Sequence, residues 1–399
     1  MQSGRRIGSL LGIPLFLDPS WFFILVFVTI INAGDIDPSL RSLAAWITGL
    51  VMALLLFSSV ILHELGHSLA ARSQGIKVNS ITLFLFGGVA SIERESKTPG
   101  EAFQVAIAGP LVSLMLFGLF HLLAMVFPPA STVYSISSDL ASINLILALF
   151  NLIPGLPLDG GQVLKAAIWK LTGNRFQGVR WAAKTGKALG TLALVIGLGL
   201  ALLTRQLSLI WIALIGGFVL RNASAYDQLT TLQETLLQLK ASDAMTRDFR
   251  VVDAKQTLRS FTDEYILADV QALMPYYATA DGRYRGIVVL EDLHVIERSL
   301  WETQTLESIV HPLSEISIVE EKTSLAKVIQ RLEVDQLNRI TVLSPAGTVA
   351  GVIDRGDIVS AIARKLNLPI SSAQIKHIKA EGVYPQGLQL EAIAKAATE

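Results

Sequence analysis

Residues Ser42–Leu62 form a run of 21 residues without a single charge, and the run ends directly on His63-Glu64-Leu65-Gly66-His67. A helix needs about 20 apolar residues to cross the roughly 30 Å hydrocarbon core of a bilayer, so this stretch is a spanning segment with three ionisable groups at its end. Charge at membrane depth is costly and is retained where it does something. On a helix, positions i and i+4 share a face, so both imidazoles can approach one metal ion. Glu64 lies beside them, placed to take a proton from an activated water. The apolar setting removes the ordinary alternative of a solvated surface helix.

The rest of the chain supports a membrane reading for its first part only. Residues 1–239 carry 15 basic and 11 acidic groups, whereas the following 160 residues carry 18 and 22. Further candidate spans are Trp21–Ala33, Phe103–Phe127, Leu140–Pro154, Ala188–Leu203 and Leu207–Ala223, giving six with the first. Basic residues of short loops stay on the cytoplasmic side. With the N-terminus inside, that side holds Arg5, Arg6, Arg72, Lys77, Arg94 and Lys97, plus six more from Lys165 to Lys187, against Arg41 and Arg205 outside. Both termini are therefore expected to be cytoplasmic. No small-residue cleavage site follows Arg5 and Arg6, so no removable signal peptide is expected. Residues Ile76–Ile92, rich in β-branched and aromatic side chains around Gly87-Gly88, are too short to span and predict a protein-shielded hairpin at membrane depth. The basic amphipathic stretch Gln162–Lys187 predicts an interfacial segment.

The expected domains are a membrane domain over 1–225, a linker helix over 226–240, two α/β modules over 241–302 and 303–365, and a mobile tail over 366–399 with one helical stretch near Leu388–Ala397. The linker carries Leu229, Leu232, Leu236 and Leu239 at heptad-like spacing. The modules form an internal near-repeat, because Gly286 and Asp292 recur 65 residues later as Gly351 and Asp357. A net charge of +0 gives no field to attract nucleic acid, and zero cysteines leave imidazole and carboxylate as the available zinc ligands.

A catalytic zinc keeps three protein ligands and one open position. His121 lies inside an apolar run, where a histidine is more often packed than ligating. Asp159 follows Asn151-Leu152-Ile153-Pro154-Gly155-Leu156-Pro157-Leu158, whose prolines and glycines break the helix and can turn a carboxylate inward. It is the better third ligand, although an aspartate there can also simply cap the next helix.

HELGH at the end of one span, with NxxPxxPxDGG at the end of a later one, resembles the site-2 protease family of intramembrane zinc metalloproteases. The resemblance is to the six-span subgroup with C-terminal cystathionine-β-synthase (CBS) domains, and it covers roughly residues 1–365. It implies a polytopic α-helical membrane protein with a small embedded hairpin or sheet and a cytoplasmic α/β CBS pair. It further implies that His63, His67 and Asp159 bind one Zn²⁺, that Glu64 is the acid/base, and that Asn151 contacts the substrate backbone or the transition state. The strand segment, with Phe84, Phe86 and Gly87, would offer an edge to an unwound substrate. The implied partners are a membrane-protein substrate and the lipid bilayer, with a second copy pairing through the CBS modules or linker. CBS pairs that bind adenine nucleotide hold ribose on an aspartate three residues after Ser or Thr. Asp292 and Asp357 match, but Val289 and Asp354 stand at the hydroxyl positions. The competing reading is a CBS-regulated transporter or channel in which Glu64, His67 and Asp159 line an ion path.

Overall fold

The computed structural model describes residues 4–36, 42–84, 87–267, 274–385 and 387–398; Phe86 and Arg41 lie outside them. The chain divides into two compact units, Met1–Thr230 and Thr231–Glu399.

The first unit is a helical bundle with one small sheet. Its helices are α1 (Ser20–Ile36), α2 (Leu43–Ser73), α3 (Pro99–Val126), α4 (Thr132–Asn151), α5 (Asp159–Thr172), α6 (Arg175–Thr204) and α7 (Ile210–Gln238). Among the described residues, five helices are long and apolar enough to cross a membrane, and Ser20–Gly34 is a shorter apolar one. Their outer faces expose large apolar side chains such as Phe23, Met115, Leu122, Leu202 and Leu203, the surface expected where lipid rather than water is the solvent. Each of the six sequence spans falls on one of these helices. Helix α5 is the extra element: the basic segment Gln162–Lys187 divides between it and the start of α6.

The expected hairpin is half of a larger sheet. Strands β1 (Arg5–Leu10), β2 (Ile13–Leu17), β3 (Val78–Phe84) and β4 (Gly87–Ile92) pair in that order, with β2 and β3 parallel and the outer pairs antiparallel. Leu11 and Gly12, both with positive φ, turn β1 into β2. The sheet packs on the motif-bearing part of α2 through Ile13, Leu65, Ala71, Ile76, Val78 and Ile81. Leu65, between the two histidines in sequence, thus faces the sheet while they face away from it.

The second unit contains two sheets. Strands β5 (Arg250–Asp253), β6 (Tyr276–Ala280), β7 (Arg283–Val288) and β8 (Val310–Pro312) form the first, and β9 (Ile318–Glu320), β10 (Arg339–Leu343) and β11 (Val349–Asp354) the second. Each has a parallel pair followed by a hairpin, as the 65-residue repeat requires. The copies differ after the hairpin. Leu290–Leu293 makes one short helical turn, whereas the equivalent Arg355 starts a helix running to Leu366.

The linker and the tail take these forms in the structure. The expected linker helix is the continuation of α7, and Leu232, Leu236 and Leu239 enter the core formed with α8 (Leu325–Val334) and α9 (Arg355–Leu366), while Leu229 stays exposed. The tail, expected to be mobile apart from one helical stretch near Leu388–Ala397, forms α10 (Ser372–Glu381) and α11 (Leu390–Thr398); the second is the expected stretch, and Ile378, Leu390 and Ala394 are buried in the same core. Helix α10 buries a single side chain, Ile378, too little periodicity to reveal its face.

Candidate metal centre

Three side chains from two helices converge inside the first unit. His63 and His67 stand one turn apart on α2 and are 3% and 8% exposed. Asp159 is the first residue of α5, where Leu158 precedes it without a side-chain cap. Its carboxylate therefore does not spend itself on capping and reaches the imidazoles: His63 Nε2 lies 3.1 Å from Oδ2, and His67 Nε2 lies 3.3 Å from Oδ1. The two Nε2 atoms are 3.3 Å apart. Atoms bound at about 2.0–2.1 Å to a tetrahedral zinc stand roughly 3.3 Å from one another, so the spacing fits such an ion.

Helix α3 sets the tautomer of His67 and meets His63 with a hydroxyl. His67 Nδ1 is 2.7 Å from the Val105 carbonyl oxygen, which only accepts, so Nδ1 carries the proton and a neutral His67 presents a bare lone pair at Nε2. His63 Nδ1 is 2.9 Å from Ser113 Oγ. Between these contacts lies Gly109, where a Cβ would come 2.2 Å from His67 Nε2 and 2.7 Å from His63 Nε2. Only glycine lets α3 approach this closely.

The turn before Asp159 is equally tight. Cβ atoms at Gly160 and Gly161 would lie 2.2 Å from the Leu152 carbonyl oxygen and 2.3 Å from the Leu156 nitrogen, so this pair allows the loop to fold back over the start of α5. Asn151 ends α4 with Nδ2 3.4 Å from His63 Nε2. Glu64 also approaches β4, where a Cβ on Gly88 would fall 2.5 Å from its Cγ.

Other sequence candidates sit elsewhere. His121 stacks on Phe117 and does not join the cluster; among the described residues His63, His67 and Asp159 are the His/Asp/Glu group close enough to share an ion. Phe84 pairs with Gly87 at the end of the β3–β4 hairpin, so Phe84 belongs to an interior strand. Among the described residues the free edge on this side is β4, from Gly87 to Ile92, which moves the expected edge away from Phe84. In the second unit Asp292 meets His311 at 2.7 Å. Asp357 is buried, shares a capping box with Asp354, and pairs with Lys379 of α10 at 2.6 Å. Sequence reasoning missed Ser113, Gly109 and Lys379. The first two are small residues in apolar runs, and the lysine lies in a part of the tail to which no structure was assigned.

Peptidase family M50 matches residues 51–140 and 128–196, and the CBS domain matches residues 307–364. A Synechocystis sp. protein named for zinc metalloprotease activity is 40% identical over 364 residues, covering 91% of this chain and 96% of its own length. The chain belongs to the site-2 protease family. A zinc metalloprotease of Methanocaldococcus jannaschii is 29% identical over 363 residues, or 91% of this chain and 97% of that protein. The solved site-2 protease from the same organism covers 56% of this chain and 95% of its own, at 32% identity and a TM-score of 0.43. As a family member, the protein is a multi-pass membrane zinc metalloprotease carrying a CBS domain, which selects the peptidase reading over the ion path.

Proposed function

We propose that the protein cleaves a transmembrane or membrane-adjacent segment of another membrane protein, with His63, His67 and Asp159 holding zinc and Glu64 moving the proton. The observation that carries this reading is the convergence of two imidazole nitrogens and a carboxylate within ligand distance of one another, with Glu64 between them and a free strand edge. A substrate helix hides its peptide bonds in its own hydrogen bonds. Laid as a strand along β4, the same segment exchanges those bonds for ladder bonds and exposes one peptide to attack. Gly88 has no side chain to hold that strand away from Glu64. Zinc supplies Lewis acidity, polarising the scissile carbonyl and lowering the pKa of the attacking water. The Glu64 carboxylate accepts the water's proton and returns it to the leaving nitrogen. Asn151 Nδ2 points towards the same space and donates to the carbonyl oxygen as negative charge grows on it.

Glu64→Gln keeps the shape but removes the base, so cleavage should fall by about 10²–10⁴-fold while zinc stays bound, as read by metal analysis of the purified chain. Loss of zinc together with activity would make Glu64 a ligand and overturn the assignment.

The same reading places both termini and the CBS unit on the cytoplasmic side, because Arg5, Arg6 and the basic α5–α6 segment then lie inside. The chain has no cysteine. Single cysteines at Gly8 and Ser372 should therefore report sidedness cleanly to an impermeant thiol reagent in intact cells. Protection at both positions is expected; labelling at either reverses the topology.

A further inference from the structure

Two metal-facing imidazoles need two protons parked on their far nitrogens, and the fold solves this differently for each. His67 donates to a main-chain carbonyl, at Val105, which no substitution can remove. His63 depends on one side chain, Ser113, whose hydroxyl is 2.9 Å from Nδ1. Val105, Gly109 and Ser113 are spaced i, i+4 and i+8 along α3, so one helical stripe presents an acceptor, a gap and a second acceptor to the rings. Ser113 is 0% exposed; a hydroxyl buried this completely in an apolar helix needs a partner.

We propose that Ser113 is the positioning residue of the metal centre. Its oxygen accepts the Nδ1 proton of His63 and so keeps the His63 Nε2 lone pair turned towards Asp159 and His67. The inference rests on the reading of His63, His67 and Asp159 as zinc ligands. The reverse polarity, with the hydroxyl donating to a bare Nδ1, would put the proton on Nε2, where it faces Asp159 Oδ2 at 3.1 Å and stands in the place of a metal. Hydrogen-bond partners behind ligating histidines fix the tautomer and raise ligand basicity, and their loss typically weakens metal binding about 10–100-fold.

The test is zinc affinity of the full-length protein in detergent, by competition with a chelator, for the parent, Ser113→Ala, Ser113→Thr, Ser113→Val and His63→Ala. Threonine and valine have the same shape, so any crowding by the added methyl cancels between them and only the hydroxyl differs. Ser113→Ala is expected to bind about 10–100-fold more weakly than the parent, and Ser113→Val more weakly than Ser113→Thr by a similar factor. The Co²⁺-substituted Ser113→Ala protein should also show an altered d–d absorption band. Equal affinity within both pairs overturns the role of Ser113 and leaves the ligand assignment standing. A parent that binds no zinc, or His63→Ala with parental affinity, defeats the ligand assignment itself.

Discussion

At the scale of single residues, the centre depends on groups whose ordinary local roles have been withdrawn. Asp159 opens a helix, yet its side chain leaves the N-terminus uncapped and joins His63 and His67. His121 has the chemistry of a ligand but stacks against Phe117 on its own helix. Asp159→Asn retains one oxygen and loses the charge, so zinc affinity and cleavage should fall together, whereas His121→Ala should leave zinc binding at the parental level. Titration of both proteins with zinc checks this; loss of metal in His121→Ala with retention in Asp159→Asn would remove Asp159 from the centre. The motif residues His63, Glu64, His67 and Asp159 were legible because their types and spacing are chemically specific. Ser113 and Gly109 were not, since a serine and a glycine inside an apolar helix have many bland explanations.

At the scale of elements, the question is what holds a strand edge, a helix start and two motif histidines in one place. Leu65 and Ala71 fasten the sheet to α2. A second tie runs from the turn after β4 to α5: Lys165, buried on the helix that begins with Asp159, meets Glu95 at 2.7 Å, and Arg175 stands 3.7 Å from the same oxygen. Partial burial raises the Glu95 pKa, but the charge and hydrogen bond of Lys165, followed by the charge of Arg175, outweigh it and hold the carboxyl below its ordinary value. A depressed carboxylate pKa stabilises the fold above the unfolded value of about 4, and that contribution is lost as pH falls through the lower folded value. Lys165→Met removes the larger cause of the depression. It should lower the thermal midpoint of the detergent-solubilised protein at pH 7, and the gap between variant and parent should close as the pH is taken below about 4. A gap that persists unchanged at acid pH would show that Lys165 acts by packing alone. Sequence reasoning placed Lys165 at the lipid interface with its neighbours. Its burial follows from the position of Glu95, seventy residues earlier, which no local pattern encodes.

At the scale of the whole molecule, the CBS part is a duplication whose two halves have diverged where ribose would be held. In the second copy, Asp357 is tied into the start of α9 and paired with Lys379 from α10. In the first copy, Asp292 is only half-buried and faces His311. Regulation by adenine nucleotide would therefore act through Asp292 rather than Asp357, with the ligand preferring one arrangement of the modules, since equal affinity for two states shifts neither. Calorimetry of the full chain with ATP, ADP and AMP should give heat that disappears in Asp292→Ala and survives in Asp357→Asn. Heat lost only in Asp357→Asn would reverse the assignment, and no heat with any nucleotide would leave the modules as a structural element.

Membrane spans, a metal-binding histidine pair and a duplicated charged module were all readable from the chain, and peptidase activity followed from the resemblance of its motifs to a known family. Uncharged runs, an i,i+4 histidine pair and a 65-residue repeat are each governed by local physics: the thickness of a bilayer, the pitch of a helix, the copying of a module. The remaining features depend on contacts between segments far apart in the chain. Strands β1 and β2 escaped notice because Leu11-Gly12 is an unusual turn and because β2 gains its partner only after two intervening helices bring β3 beside it. Helix α10 of the tail escaped notice because its one buried side chain, Ile378, acquires meaning only against the core that covers it. The stripe of α3 that receives both imidazoles is a matter of how closely two helices approach, set by the absence of a side chain at Gly109, and an absence carries no signal until the neighbour it admits is in place.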